Sequence, residues 1–164
     1  MLGDVADRDG DSAYWPSGED DEAADNVRLT GLCSGSAGVG SFLLRFHAAT
    51  KDSVSGELAA AAARAVRGAT WSSWSVWCHG LASGGDFLLD SAEVFGERRY
   101  HDWAQDVAVA IATVEREGRL LTTDESGDVT PLYANGFTGP LSFLLRLRHG
   151  DSPLLGSPRG GTTR

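Results

Sequence analysis

Two cysteines and one histidine are the residues best suited to do chemistry. Cys33 and Cys78 lie 45 positions apart, and His79 follows Cys78 directly. Two thiolates and an imidazole form a donor set that suits zinc, a borderline-soft ion with a tetrahedral preference. Three protein ligands leave a fourth position open, which is the arrangement of a catalytic site rather than a structural one. The plainer reading is core packing, with each cysteine a small buried hydrophobe. A disulfide framework is not expected from two cysteines in a cytosolic chain.

An internal repeat separates these readings. Three ten-residue segments align without gaps, at 35–44, 80–89 and 136–145. Each opens on a glycine and reaches Phe-Leu-Leu at the same offset: Phe42-Leu43-Leu44, Phe87-Leu88-Leu89 and Phe143-Leu144-Leu145. The spacings of 45 and 56 residues fall in the range of helical-pair repeats. Cys33 and Cys78 both stand two residues before the opening glycine, so they occupy one position in successive repeats. Ser34 matches His79, and the third repeat offers only Ala134 and Asn135 there. Repeat equivalence would gather the two thiols at one end of a cavity. The glycines let the backbone turn sharply beside each ligand, and the helix N-terminus that follows favours thiolate.

The elements that must position these residues are helices. Strongly apolar runs at 39–49, 84–95 and 140–149 predict inner helices covered on most sides. Residues 98–117 predict an amphipathic outer helix: Tyr100, Trp103, Val107, Ile111 and Val114 recur at steps of three or four. Residues 55–67 form an alanine-rich partner with Leu58, Ala62 and Ala65 on its apolar side. Each such unit needs neighbours to cover its hydrophobic face. The expected fold is therefore all-α, a partial α/α toroid of alternating inner and outer helices. One short β-hairpin is expected within 119–135, around Asp124-Glu125-Ser126-Gly127-Asp128.

Trp77-Cys78-His79-Gly80-Leu81-Ala82, followed by Gly85-Asp86-Phe87-Leu88-Leu89-Asp90, resembles the Cys-His-Gly motif of lanthionine synthetase C-like proteins. Gly31-Leu32-Cys33-Ser34-Gly35 resembles the cysteine-glycine motif that precedes it in that family. The stretch from Gly136 to Arg148 resembles the end of cyclase domains in fused kinase–cyclase synthetases of actinobacteria. The likeness covers residues 28–149. It implies an α/α toroid and a zinc-dependent cyclase that closes thioether rings by adding a peptide cysteine thiolate to dehydroalanine or dehydrobutyrine. By matching positions it implies Cys33, Cys78 and His79 as the zinc ligands, with a dehydrated precursor peptide as partner. Most of the family's toroid, including its acid–base histidine, would precede residue 28. His47, His101 and His149 do not match that histidine. Ser34 stands where a larger residue is common, and Ser83 replaces a frequent glycine. The expected function is thus a cyclase in partial form, with the remaining part of a lanthipeptide synthetase as a further partner. The alternative is a non-catalytic α/α interaction module or a degenerate paralogue.

Trp77 and Ser34, beside the ligands, are candidates for contacting substrate. Trp71, Trp74 and Trp77 recur every three residues; packing of their loop is expected ahead of an aromatic cradle for peptide. The net charge of −9 is concentrated at the start. Residues 1–30 hold nine acids against Arg8 and Arg28, which is −7, leaving −2 for the rest. Without a basic patch, nucleic acid is not an expected partner. Residues 1–27 are expected to be an acidic, disordered leader, and 150–164 a disordered tail. No apolar stretch approaches the roughly 18 residues of a membrane helix. The opening Met-Leu-Gly-Asp-Val-Ala-Asp lacks a signal-peptide layout, so the expected location is cytoplasmic.

Overall fold

The alanines and glycines of this sequence decide how closely its helices approach. In the computed structural model, which describes residues 2–15, 28–116 and 130–150, five helices follow a short hairpin. Strands β1 (Asp7–Asp9) and β2 (Ser12–Tyr14) precede α1 (Ser36–Thr50) and α2 (Ser53–Gly68). Then come α3 (Leu81–Phe95), α4 (Arg98–Arg116) and α5 (Thr138–His149). Helices α1, α3 and α5 are the expected inner helices, and α2 and α4 the outer ones. The all-α arc of alternating inner and outer helices read from the repeat is the fold observed.

Helix α1 turns into α2 through Lys51, whose left-handed φ of 63° lets its N–H reach the His47 carbonyl. Asp52 then caps α2, its carboxylate accepting the Ser55 N–H at 2.8 Å. Such a cap satisfies a donor that the first helical turn leaves without a partner. Ala59, Ala61, Ala62, Ala63 and Ala65 of α2 are all fully buried, so the helix lies close against α1. On α4 the buried stripe is Tyr100, Ala104, Val107 and Ile111, with Trp103 half-buried beside them.

The inner helices meet by a repeated fit of ring into glycine. Phe87 of α3 lies over Gly40 of α1, where a Cβ would stand 2.5 Å from the ring. Phe143 of α5 lies over Gly85 of α3, where a Cβ would stand 2.3 Å away. Gly40 and Gly85 are repeat-equivalent, as are Phe87 and Phe143. Both rings are buried, each contributing about 1.5–3 kcal/mol.

The expectation of a disordered leader requires correction. The leader is structured over residues 2–15. Its strands pair antiparallel, with Arg8 opposite Ala13, and β2 packs on α2. Ala13 and Trp15 enter the core, Trp15 donates to the Leu2 carbonyl at 2.8 Å, and Ser36 donates to the Ala13 carbonyl at 3.0 Å. Arg28 ties Asp7 and Asp9 together, which offsets their like charges. Among the described residues, the hairpin is at 7–14. The hairpin expected at 119–135 falls mostly outside the described residues, and the part described, 130–135, is coil and turn. Of the expected tail, 150–164, only Gly150 is described, as the left-handed residue that ends α5.

Candidate metal centre

Three equivalent loops, one before each inner helix, build the site. In each, the N–H of the residue after the first repeat glycine closes on a carbonyl seven residues back. The pairs are Ser36 to Leu29 at 3.2 Å, Leu81 to Trp74 at 2.7 Å, and Phe137 to Thr130 at 3.1 Å. Glycine is needed at 35, 80 and 136 because a Cβ there would lie 2.2 Å from the carbonyl oxygen of residues 29, 74 and 130.

The loops are then stitched to one another. Leu32 and Cys33 both donate their N–H to the Cys78 carbonyl, at 2.9 and 3.0 Å. Trp77 and Cys78 do the same to the Ala134 carbonyl, at 3.1 and 2.8 Å. Gly31 allows this approach, since a Cβ there would stand 2.4 Å from the Cα of His79. Backbone pairing thus sets Cys33 against Cys78 across 45 residues of chain.

The ligating atoms of Cys33, Cys78 and His79 all lie within 4.8 Å of one another. Ligands at 2.0–2.3 Å from a tetrahedral zinc stand about 3.5–3.8 Å apart, so small side-chain rotations bring the three into that geometry. Cys33 and His79 are exposed and Cys78 half-buried, which leaves room for a further ligand. The Cys33 side chain, hydrogen bonded to Cys78, holds the Cys78 thiol above its ordinary pKa, and burial adds to this. Two thiolates side by side need a cation. The donor set and its spacing fit zinc, and the predicted trio is brought together as the repeat required.

Trp77 and Ser34 are both half-buried beside the ligands. Trp77 packs at a tilt against Tyr133, with ring centroids 5.0 Å apart, and donates its indole N–H to Asp86 at 2.9 Å. It is a wall residue of the site. Trp71 and Trp74, expected to pack, are instead 60 % and 68 % exposed, so only Trp77 of the three follows that reading. His47, at the end of α1, contacts the Asp52 carbonyl at 2.7 Å and the Phe95 ring, a structural role away from the ligands.

A further polar cluster, marked by no motif of its own, joins α5 to α3. Arg146 on α5 reaches Asp86 at 3.3 Å and also pairs with Asp90, both on α3. Its side chain is only 11 % exposed. Burial pushes the Asp86 carboxyl up, against the lowering pull of Trp77 and Arg146. A cleft of about 560 Å³ opens beside the loops that carry Cys33 and Cys78. Its walls come from one set of repeat positions used twice: Gly38, Ser41, Phe42 and Arg45 on α1, and Ser83, Asp86, Phe87 and Asp90 on α3, with Arg146 completing it. The same offsets that aligned Phe-Leu-Leu would have found this row.

A family model described as lanthionine synthetase C-like protein matches residues 5–158. The chain belongs to the lanthionine synthetase C-like family. The matched span takes in most of the segment set apart as a leader and extends past residue 149. A search of curated proteins finds no match. No helix among the described residues is long and apolar enough to cross a membrane.

Proposed function

We propose that this chain carries the zinc-thiolate half of a lanthionine cyclase site, with Cys33, Cys78 and His79 as the ligands. The observation that supports the reading is the cross-loop pairing of Cys33 with Cys78, which sets two thiols and an imidazole within 4.8 Å on an open surface. Zinc held there would acidify a peptide cysteine thiol at neutral pH, as it acidifies bound water. The chain's own residues fix the three donors, leave one side accessible, and present Ser34 and the Trp77 wall to an incoming peptide. The partner is a dehydrated, cysteine-containing precursor peptide. The exposed Trp71 and Trp74, on the loop that delivers Cys78, favour the aromatic-cradle reading for such a peptide.

The described histidines other than His79 are not placed to move a proton at this centre, so the remaining part of a lanthipeptide synthetase would supply that group. A positioned acid or base contributes about 10²–10⁴ in rate. The setting is the cytoplasm. A second reading, an interaction module without catalysis, is supported by the exposed rings of Phe42 and Phe46 on α1.

The test couples metal content to thiol loss. Protein purified without chelator should hold one zinc per chain, and Cys78→Ala should hold none. Incubated with a dehydrated peptide, the chain should consume free thiols slowly but above the spontaneous rate, and Cys78→Ala should abolish the excess. Equal zinc in both proteins would overturn the ligand assignment. Zinc binding without any thiol loss would favour the interaction module.

A further inference from the structure

The cleft beside Cys33 and Cys78 carries its charge largely at one repeat position. Arg45, Asp90 and Arg146 are equivalent residues on α1, α3 and α5, and all three line it. Two of them cancel. Arg146 pairs with Asp90 and Asp86, and Glu93 stands 3.7 Å from the same guanidinium. Arg45 is exposed and meets no carboxylate among the described residues. Ser41, four residues earlier on the same face of α1, also lines the cleft, and its hydroxyl has no partner among the described residues. Of the four charged residues lining the cleft, three belong to one ion-pair network and Arg45 stands outside it.

That charge is set at a fixed distance from the thiols. Leu32 and Trp77, each next to a cysteine, line one end of the cleft. Arg45 lies about 14 Å along α1 from its start at Ser36, at 1.5 Å per residue. Phe42 and Phe87 line the cleft with Leu32 and Trp77, so the lining also has an apolar part. An extended peptide advances about 3.3 Å per residue, so about four residues span the same length. We propose that Arg45 selects the substrate: the cleft takes a peptide whose reacting cysteine lies about four residues from an aspartate or glutamate, with apolar side chains between. The carboxylate accepts from the Arg45 guanidinium, and the Ser41 hydroxyl is a second donor one turn away. A lysine at the same place meets Arg45 and is repelled, so the pairing acts on peptide choice more than on affinity. The occupant rests on the cyclase reading, but charge selection needs no ring closure and uses no metal ligand.

The test uses the full chain and labelled, amidated peptides with one cysteine and no dehydrated residue, so that no ring can form. Glutamate is placed four positions after the cysteine, or four before it, and compared with glutamine and lysine at the same place. In fluorescence anisotropy at low salt, glutamate at one of the two placements should bind about three- to fivefold tighter than glutamine, as an exposed charge pair allows. Lysine there should bind more weakly than either. Moving the glutamate next to the cysteine should remove the advantage. Arg45→Gln should remove it too, and Arg45→Glu should invert it in favour of lysine, with zinc content and helix content unchanged. Equal binding of the glutamate and glutamine peptides, a preference that survives Arg45→Gln, or the absence of saturable binding overturns the proposal. A charge preference without zinc-dependent thiol loss counts against the cyclase reading alone. Thiol loss without a charge preference counts against this inference alone.

Discussion

The backbone N–H of Cys33 meets the carbonyl of Cys78 at 3.0 Å, and the N–H of Cys78 meets the carbonyl of Ala134 at 2.8 Å. Both thiols of the candidate centre are thus fixed by main-chain pairing, before any side chain is considered. Gly31 is the residue that permits the first pairing. Gly31→Ala would drive a Cβ to 2.4 Å from the His79 Cα. We expect a loss of about 1–3 kcal/mol of stability and zinc content well below that of the parent. Denaturant unfolding and elemental analysis of the same sample check both.

The ring-into-glycine fit predicts a larger loss in the core. Phe143→Ala removes a fully buried ring from over Gly85 and leaves a cavity. The expected cost is about 3–5 kcal/mol, read as a fall in the urea midpoint without a change of slope. Phe42→Ala, at the equivalent but exposed position, should cost far less. Similar losses for the two would show that α1 is covered in solution.

Asp52 gives a pH dependence with a definite sign. The side-chain hydrogen bond from Ser55, helped by its backbone N–H, holds the carboxyl below its ordinary pKa, against a small opposing effect of burial. Its stabilisation is therefore complete above the ordinary carboxylate range, near pH 4, and is lost as pH falls through the depressed value. The gap in Tm between the parent and Asp52→Ala should be constant near neutrality and narrow on acidification. Asp52→Asn should keep the cap and remove this pH dependence.

Metal should act on stability by mass action. Free zinc at a hundredfold excess over Kd contributes about 2.7 kcal/mol, a Tm rise of roughly 5–10 °C. A chelator should reverse it, and Cys78→Ala should show no rise. A rise of the same size in Cys78→Ala would place the metal elsewhere.

Much of this architecture was legible because the repeat carries its own register. The Phe-Leu-Leu offset located α1, α3 and α5, the Tyr100–Ile111 periodicity located α4, and the position two before each glycine located both cysteines. The hairpin was hidden for a physical reason. Strands of three residues show no usable alternation, and Asp7 and Asp9 read as solvated charge until Arg28 is seen between them. Trp15 was the available signal, a large ring in an acidic stretch that only a core could accept. The exposure of Trp71 and Trp74 was not legible, since aromatic spacing alone does not say which rings find a partner. Helix α1 shows the same limit at its start. It begins at Ser36, earlier than the apolar run suggests, because Ser36 and Ala37 hydrogen bond back to Leu29 and Thr30.

The third loop has a consequence for how such a site changes over time. Ala134 makes the same backbone contact as Cys78 yet offers no donor atom. Ligand identity and fold are therefore separable variables in this architecture. A cysteine can drift to alanine, or an alanine to cysteine, with the loop geometry held constant by glycines and carbonyls. Donor atoms can be lost or gained there by single substitutions, while the glycines at 35, 80 and 136 keep each loop closed.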